Sequence, residues 1–435
     1  PVGADIKQQI ERGMQALVLH DFPGGGLDKH VSYADVARSL DVAAYNNYPV
    51  WGGQKEPIPP HEIAFGLDYI RGLKRRNFWI TEAIMGAQGH DITGFLPRPG
   101  QAKMWSYQGM AHGCESMMYF RYRGAVKGAE QFCRGIIDAD NVKGRKFYEV
   151  QSFFRDISQY GEAMEAPIRS DVAIVYDYDS LASFRIQRQS VLLDCQNEMK
   201  KLYKAFYDVN VPVDVIPADA DFSGYRVVLL PQLIIVKPEF HKRAEAFVRK
   251  GGVLVLTCRS AVKDADNNIP FGRPAPVGFT GLAGVTVAEA ESLQDLDAFP
   301  LTGHGAFSGS RGSGGIFRDM LTVQDAETLY RYGDAFYGEY AAITRKKQGS
   351  GTVYYLGCGM DEAVTAKVMA AIMADGQIET TPSPGGVEIV TRGAGDRRVR
   401  MLINHNDHEA EAGGVLLGPF ACVIQPVGCG DQAQP

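Results

Sequence analysis

The sequence predicts a chain of the α/β class: a parallel sheet of βα units that reads as part of a (β/α)8 barrel, a second open α/β sheet of the flavodoxin-like kind, and a small antiparallel β module. Three observations carry this. Short apolar runs alternate with helical stretches over residues 1–160, the pattern of parallel strands joined by helices. The alternation resumes over 168–377, and over 385–428 it gives way to short strands with turns between them. At about 150 residues per domain, 435 residues accommodate three such units.

In the first segment the predicted strands are ALVLHDF (16–22), DVAAYNNYP (41–49), NFWITEA (77–83) and SMMYFRYRG (116–124). SYADVARSL, IAFGLDYIRGLKRR and AKMWSYQGMAHGC supply the helices between them. Each strand ends in polar or aromatic residues, namely His20 and Asp21, Asn46 to Tyr48, Glu82, and Arg121 with Arg123. Polar groups thus collect at the carboxyl ends, the face that carries the active site in a (β/α)8 barrel. In the middle segment DVAIVYD, PVDVIPA, YRVVLLPQLIIV, GGVLVLTC and TVYYLGCG read as strands. The glycine-rich spans FTGLAGVT and LTGHGAFSGSRGSGG read as loops. After TTPSPGG, the runs VEIVTR, RRVRMLINH and GGVLLGPFACVIQPV form the β module.

Composition excludes several classes. The net charge of −6 with scattered Lys and Arg offers no basic stripe for nucleic acid. No apolar run reaches the roughly 18 residues of a membrane span, and the first residues lack the layout of a secretion signal. Seven dispersed cysteines without a C-x-x-C pair indicate neither a disulfide framework nor a zinc site, so reduced thiols in a cytoplasmic protein are expected. No cofactor or metal is expected.

Glu82, at the end of an apolar strand and followed by GAQGHD, has two readings. It either pairs with a neighbouring arginine or caps the following loop, or it is a nucleophile or general base on the active face. If the strands close in order, Asn47, Tyr48, Glu82, Arg121 and Glu130 rim one mouth, a mix of hydrogen-bonding groups and aromatics that suits a sugar. Cleaving a glycosidic bond with retention needs two carboxyl groups about 5 Å apart.

The motifs NNYP (46–49), TEAIMGAQGHD (81–91), LPRPGQAKMWSYQGMAHGCESMMYFRYRG (96–124) and KGAEQFCRGIIDADN (127–141) resemble the second half of the catalytic barrel of glycoside hydrolase family 42, the β-galactosidases. The later segments resemble that family's trimerisation domain, with its glutamine-amidotransferase-like fold, and its C-terminal β domain. The resemblance implies a retaining hydrolase of terminal β-galactosides and a homotrimer. Glu82 becomes the nucleophile, Glu130 a ligand of galactose hydroxyls, and Asn47 and Tyr48 parts of the pocket wall. His90 and Cys133 occupy substrate-binding positions where the family commonly has Trp and His, which leaves an α-L-arabinopyranoside open beside a galactoside.

The family's acid/base Glu follows an Asn at the end of the fourth strand, and this chain starts just before what resembles the fifth. The first barrel half is therefore expected to lie outside the chain, which alone should not hydrolyse galactosides efficiently. Glu11, within QQIERGMQ, reads as a solvated helix residue and no substitute. A second function class keeps the fold without catalysis: a carbohydrate-binding or oligomerisation module derived from such an enzyme.

Three other motifs take structural readings. Cys258 follows a strand but lacks a glycine-flanked elbow and reads as inert. GSRGSGG (309–315) lacks the Lys-Ser/Thr of a phosphate loop and reads as flexible. In NHNDH (404–408), His405 and His408 read as a surface turn, because strand geometry would turn them to opposite faces.

Overall fold

The computed structural model describes residues 17–24, 29–295 and 297–427; the expected helix around Glu11 falls outside them. The chain divides into two compact units, one of Pro1–Arg169, Tyr207–Val215 and Thr380–Pro435, the other of Ser170–Phe206 and Ile216–Glu379.

In the first unit, β1 (Leu19–Phe22), β2 (Val42–Asn47), β3 (Phe78–Ile84) and β4 (Cys114–Phe120) form a parallel sheet in chain order. The helices Tyr33–Arg38, Pro60–Lys74 and Gln101–Ala111 connect them. The first is capped by Ser32, whose side chain accepts the Asp35 N–H, and the second has a proline in its first turn, where no N–H partner is needed. Ile63 to Gly72 and nearly all of Gln101–Ala111 are buried, so these helices sit within the unit rather than coating it.

A fault in β3 sets the direction of Glu82. Phe78 and Ile80 are fully buried, Trp79 and Thr81 less so, and strict alternation would send Glu82 to the buried side with Ile80. The register slips at this point, with Tyr45 opposite Ile80 but Asn46 opposite Glu82. A second slip, against β4, falls between Ile80 and Ala83. Such a bulge flips the phase of the strand and brings Glu82 onto the more open face.

The β module belongs to this unit. β16 (Val387–Arg392), β17 (Val399–Asn404) and β20 (Cys422–Pro426) form an antiparallel sheet, beside a hairpin of β18 (Ala410–Ala412) and β19 (Val415–Leu417). Gly413 and Gly414, both at positive φ, make its two-residue turn. A buried polar network ties the module in. His112, after the helix Gln101–Ala111, lies 2.7 Å from Asp68 through Nδ1 and 2.7 Å from Glu388 through Nε2. Asp68 also pairs with Arg71, which reaches Asp214 at 2.7 Å. His405 stands 2.9 Å from Glu388. The surface-turn reading of NHNDH thus holds for exposed His408 but not for His405, which is buried because β17 brings it beside Glu388 of β16.

The second unit centres on fully buried parallel strands, β5 (Val172–Tyr176), β7 (Val227–Leu230), β8 (Val253–Thr257) and β14 (Gly351–Leu356); β6 (Val213–Pro217) precedes β7 in the chain. The sequence-based expectation of loops over the glycine-rich spans is overturned. The region contains β9 (Val285–Ser292), β10 (Phe299–Gly303) and β11 (Arg311–Val323), which extend the sheet antiparallel through β12 (Glu327–Tyr332) and β13 (Ala341–Gln348), with β15 (Cys358–Met360) on β11. The physical reason is close packing: a Cβ on Gly312 would meet Val364 Cγ2 at 2.4 Å, and one on Gly314 would meet Phe299 Cε2 at 2.3 Å. GSRGSGG therefore runs into a strand whose glycines admit large neighbours.

Candidate active site

The carboxyl ends of β2, β3 and β4 bring the expected residues together. Tyr48, one residue beyond β2, donates its phenolic hydrogen to Glu82 Oε2 at 2.6 Å. Burial, reinforced by the hydrogen bond and charge of Glu82, pushes the Tyr48 pKa well above its ordinary value, so the phenol stays a donor at every working pH. Asn47 is buried on β2, opposite Ala83. Its neighbour Asn46 donates to Asp21 Oδ2 at 3.3 Å, bringing the end of β1 into the same row.

The loop after β4 supplies Glu130. It folds back through Ile136 N–H to Arg121 O (2.7 Å) and Ile137 N–H to Tyr122 O (2.9 Å). Glu130 forms an ion pair with Arg121, whose guanidinium also covers the Phe120 ring at 4.1 Å. On the other side His90 Nε2 stands 3.8 Å from Glu130 Oε1. The His90 loop is braced from beneath. Arg134 N–H donates to Ala87 O at 3.0 Å, and buried Gln88 donates to Arg134 O at 2.9 Å. Cys133 is fully buried, its thiol directed at Gly89 O (3.7 Å), so it meets the loop carrying His90 rather than the open mouth.

Trp51, which sequence reasoning passed over, joins the two acidic groups. Its indole centroid lies 4.9 Å from the Tyr48 ring and 5.4 Å from the His90 ring. The available signal was its place three residues after Tyr48 in NYPVW. The row Glu82, Tyr48, Trp51, His90, Glu130, Arg121 combines acceptors, donors and aromatic surface, the make-up of a carbohydrate site. Among the described residues no cluster of His, Cys, Asp and Glu could hold a metal ion, and no helix is long and apolar enough to cross a membrane.

Residues 7–160 match the glycoside hydrolase family 42 model described as "Beta-galactosidase", and residues 170–379 match that described as "Beta-galactosidase trimerisation domain". The chain belongs to glycoside hydrolase family 42. Among curated relatives, it is 30% identical over 384 residues to β-galactosidase BgaA of Clostridium cellulovorans, covering 86% of this chain and 57% of that protein. It is 31% identical over 354 residues to β-galactosidase Pbg of Clostridium perfringens, covering 78% and 50%. The fold superposes on the β-galactosidase crystal structure from Bacillus circulans sp. alkalophilus with a TM-score of 0.89 at 25% identity, covering 96% of this chain and 64% of that one. The chain thus spans about half the length of the curated relatives it matches.

The second unit of this family 42 chain adds no competing catalytic centre at Cys258. That thiol is buried, and burial, with Asp319 nearby, pushes its pKa well above the ordinary value, the opposite of what a nucleophilic cysteine needs.

Proposed function

We propose that this chain carries the glycone-binding side of a retaining β-galactosidase, with Glu82 as the nucleophile. The observation that carries the reading is the 2.6 Å hydrogen bond from Tyr48 to one oxygen of Glu82. It holds the carboxylate in one rotamer and leaves the other oxygen free to attack. In the first step that oxygen would bond to the anomeric carbon as the bond to the aglycone oxygen breaks, and the leaving oxygen takes a proton from a second carboxyl group. Water then cleaves the galactosyl ester with that group acting as base.

Glu130, steadied by Arg121, would accept hydrogen bonds from sugar hydroxyls beside His90, and Asn47 would line the wall. Cys133 acts through the Gly89 carbonyl, by fixing the loop that presents His90. The acid/base is assigned to no described residue. The reading places it in the part of the relatives that this chain does not span, together with the strands that would close β1–β4 into an eight-stranded barrel; the chain alone then turns over poorly. The reading further divides the protein into barrel half (1–160), trimerisation domain (168–377) and β domain (385–428), in a cytosolic homotrimer. The name of the matching middle-domain family supports the trimer, and the described cysteines, all free, accord with a reducing compartment.

The test is hydrolysis of nitrophenyl β-galactoside by this chain, alone and joined to the barrel half of a relative. The joined protein should be active, and Glu82→Ala should lower its turnover by several orders of magnitude. Full turnover by the chain alone would end the fragment reading, and unchanged turnover in Glu82→Ala would remove Glu82 from the mechanism.

A further inference from the structure

Trp51 occupies the middle of the row that joins Glu82 to Glu130, and its position is over-determined. Its ring stands nearly perpendicular to both neighbours, at 81° to Tyr48 and 90° to His90, the edge-to-face arrangement that aromatic quadrupoles favour. Its backbone is clamped by Gln54, which accepts the Trp51 N–H at 2.6 Å and donates its own N–H to Trp51 O at 3.1 Å. The following turn is wedged against the β3 loop: a Cβ on Gly52 would lie 2.2 Å from Ile92 O, and one on Gly94 would lie 2.7 Å from Trp51 O. The indole is nevertheless only half-buried. A large, half-buried aromatic ring held this firmly, next to the partners of both Glu82 and Glu130, is a preorganised platform.

We propose that Trp51 is the specificity-determining residue of this site, selecting the galacto configuration by stacking on the glycone ring; the inference rests on the galactoside reading above. The stereochemistry is elementary. In β-galactopyranose the axial O4 leaves H4 leaning to the same face as H3 and H5, which makes one continuous apolar patch for an indole. In glucopyranose O4 is equatorial, H4 lies on the opposite face, and the patch is split. α-L-Arabinopyranose keeps the galactose patch and lacks only the hydroxymethyl arm. Trp51 therefore admits both galactoside and arabinopyranoside and disfavours glucoside. Tyr48 and His90, each nearly perpendicular to the indole, act as positioning residues for it.

Saturation-transfer NMR and calorimetric titration of the 435-residue chain with methyl β-D-galactopyranoside, methyl α-L-arabinopyranoside and methyl β-D-glucopyranoside test this without requiring turnover. The galactoside and the arabinopyranoside should bind with saturation concentrated on H3, H4 and H5, and more tightly than the glucoside. Trp51→Ala should weaken those two by about tenfold, the scale of a lost aromatic contact, leave the glucoside unchanged and abolish the H3, H4, H5 signature; Trp51→Phe should restore much of it. Equal galactoside affinity in wild type and Trp51→Ala overturns the proposal while leaving the galactoside reading intact. Equal weakening of all three sugars, unrescued by Phe, overturns it as well, since that reports a merely structural role. Wild-type protein that binds none of the three defeats the galactoside reading itself, and this inference with it.

Discussion

Tyr48, just past the end of β2, and Glu82 of the neighbouring β3 lie 34 positions apart, yet the phenolic hydrogen of one rests on the carboxylate of the other at 2.6 Å. The contact depends on the register slip that places Asn46, rather than Asn47, opposite Glu82. The raised pKa of Tyr48 keeps the hydrogen in place across the working range.

Tyr48→Phe should slow attack by Glu82 by about a hundredfold, the usual scale for removing one preorganised donor at a reacting oxygen. A 2-deoxy-2-fluorogalactosyl fluoride suits this measurement, because its activated leaving group needs no acid catalyst. Mass spectrometry should find the label on Glu82 in wild-type chain and follow its slower appearance in the variant. Equal labelling rates would separate Tyr48 from the nucleophile.

Stability should depend on pH through the buried network of the first unit. Burial alone would lower the His112 pKa, but the carboxylates of Asp68 and Glu388 outweigh it and raise the group from 6.5 to about 9. Its contribution is complete below the unfolded value of 6.5 and disappears as pH climbs through about 9. Glu388 has the opposite sign. Burial would raise it, yet His112 and His405 hold it well below its usual 4.5, so its contribution is present above 4.5 and is lost on acidification. The melting temperature should therefore peak between 4.5 and 6.5 and decline toward pH 9. Replacing His112 with Leu should cost about 3–5 kcal/mol in urea unfolding, because Asp68 and Glu388 are left buried without their partner.

Gly72→Ala sets two local rules against each other. In an open helix interior the change would add about 1 kcal/mol of stability. Here a Cβ would stand 1.9 Å from Val215 O, a backbone atom with no rotamer to change, and overpacking should prevail with a loss of about 3 kcal/mol. Calorimetry decides between them by the sign of the shift in melting temperature.

Thiol chemistry should be silent at the two buried cysteines of the folded second unit. Cys258 and Cys358 are each 3% exposed and burial raises both pKa values, so Ellman's reagent at pH 8 should titrate them only after denaturant is added. Rapid modification of Cys258 in the native protein would overturn its reading as inert.

Much of the fold was legible because its signals are local. The runs that became β1–β4 are short, apolar and spaced by helices, and each ends in the polar groups now found at one end of the sheet. The antiparallel extension of the second unit was not legible, because Gly312 and Gly314 look like loop residues until Val364 and Phe299 are packed on them. His405 was misread for a similar reason: nothing near it in sequence announces Glu388, its partner across the strand pair β16–β17.

By itself the sequence determined the class of each segment, the strand that bears Glu82 and the family motifs around it, since strand periodicity and turn chemistry are properties of neighbouring residues. Tertiary structure alone decided where those groups point. The slip beside Ile80 turns Glu82 toward Tyr48, the fold-back after β4 sets Glu130 against Arg121 and His90, and the wedged turn at Gly52 fixes Trp51 between them. Each of these depends on backbone atoms distant in the chain meeting at van der Waals distance, a condition that no stretch of sequence can specify until the chain has closed on itself.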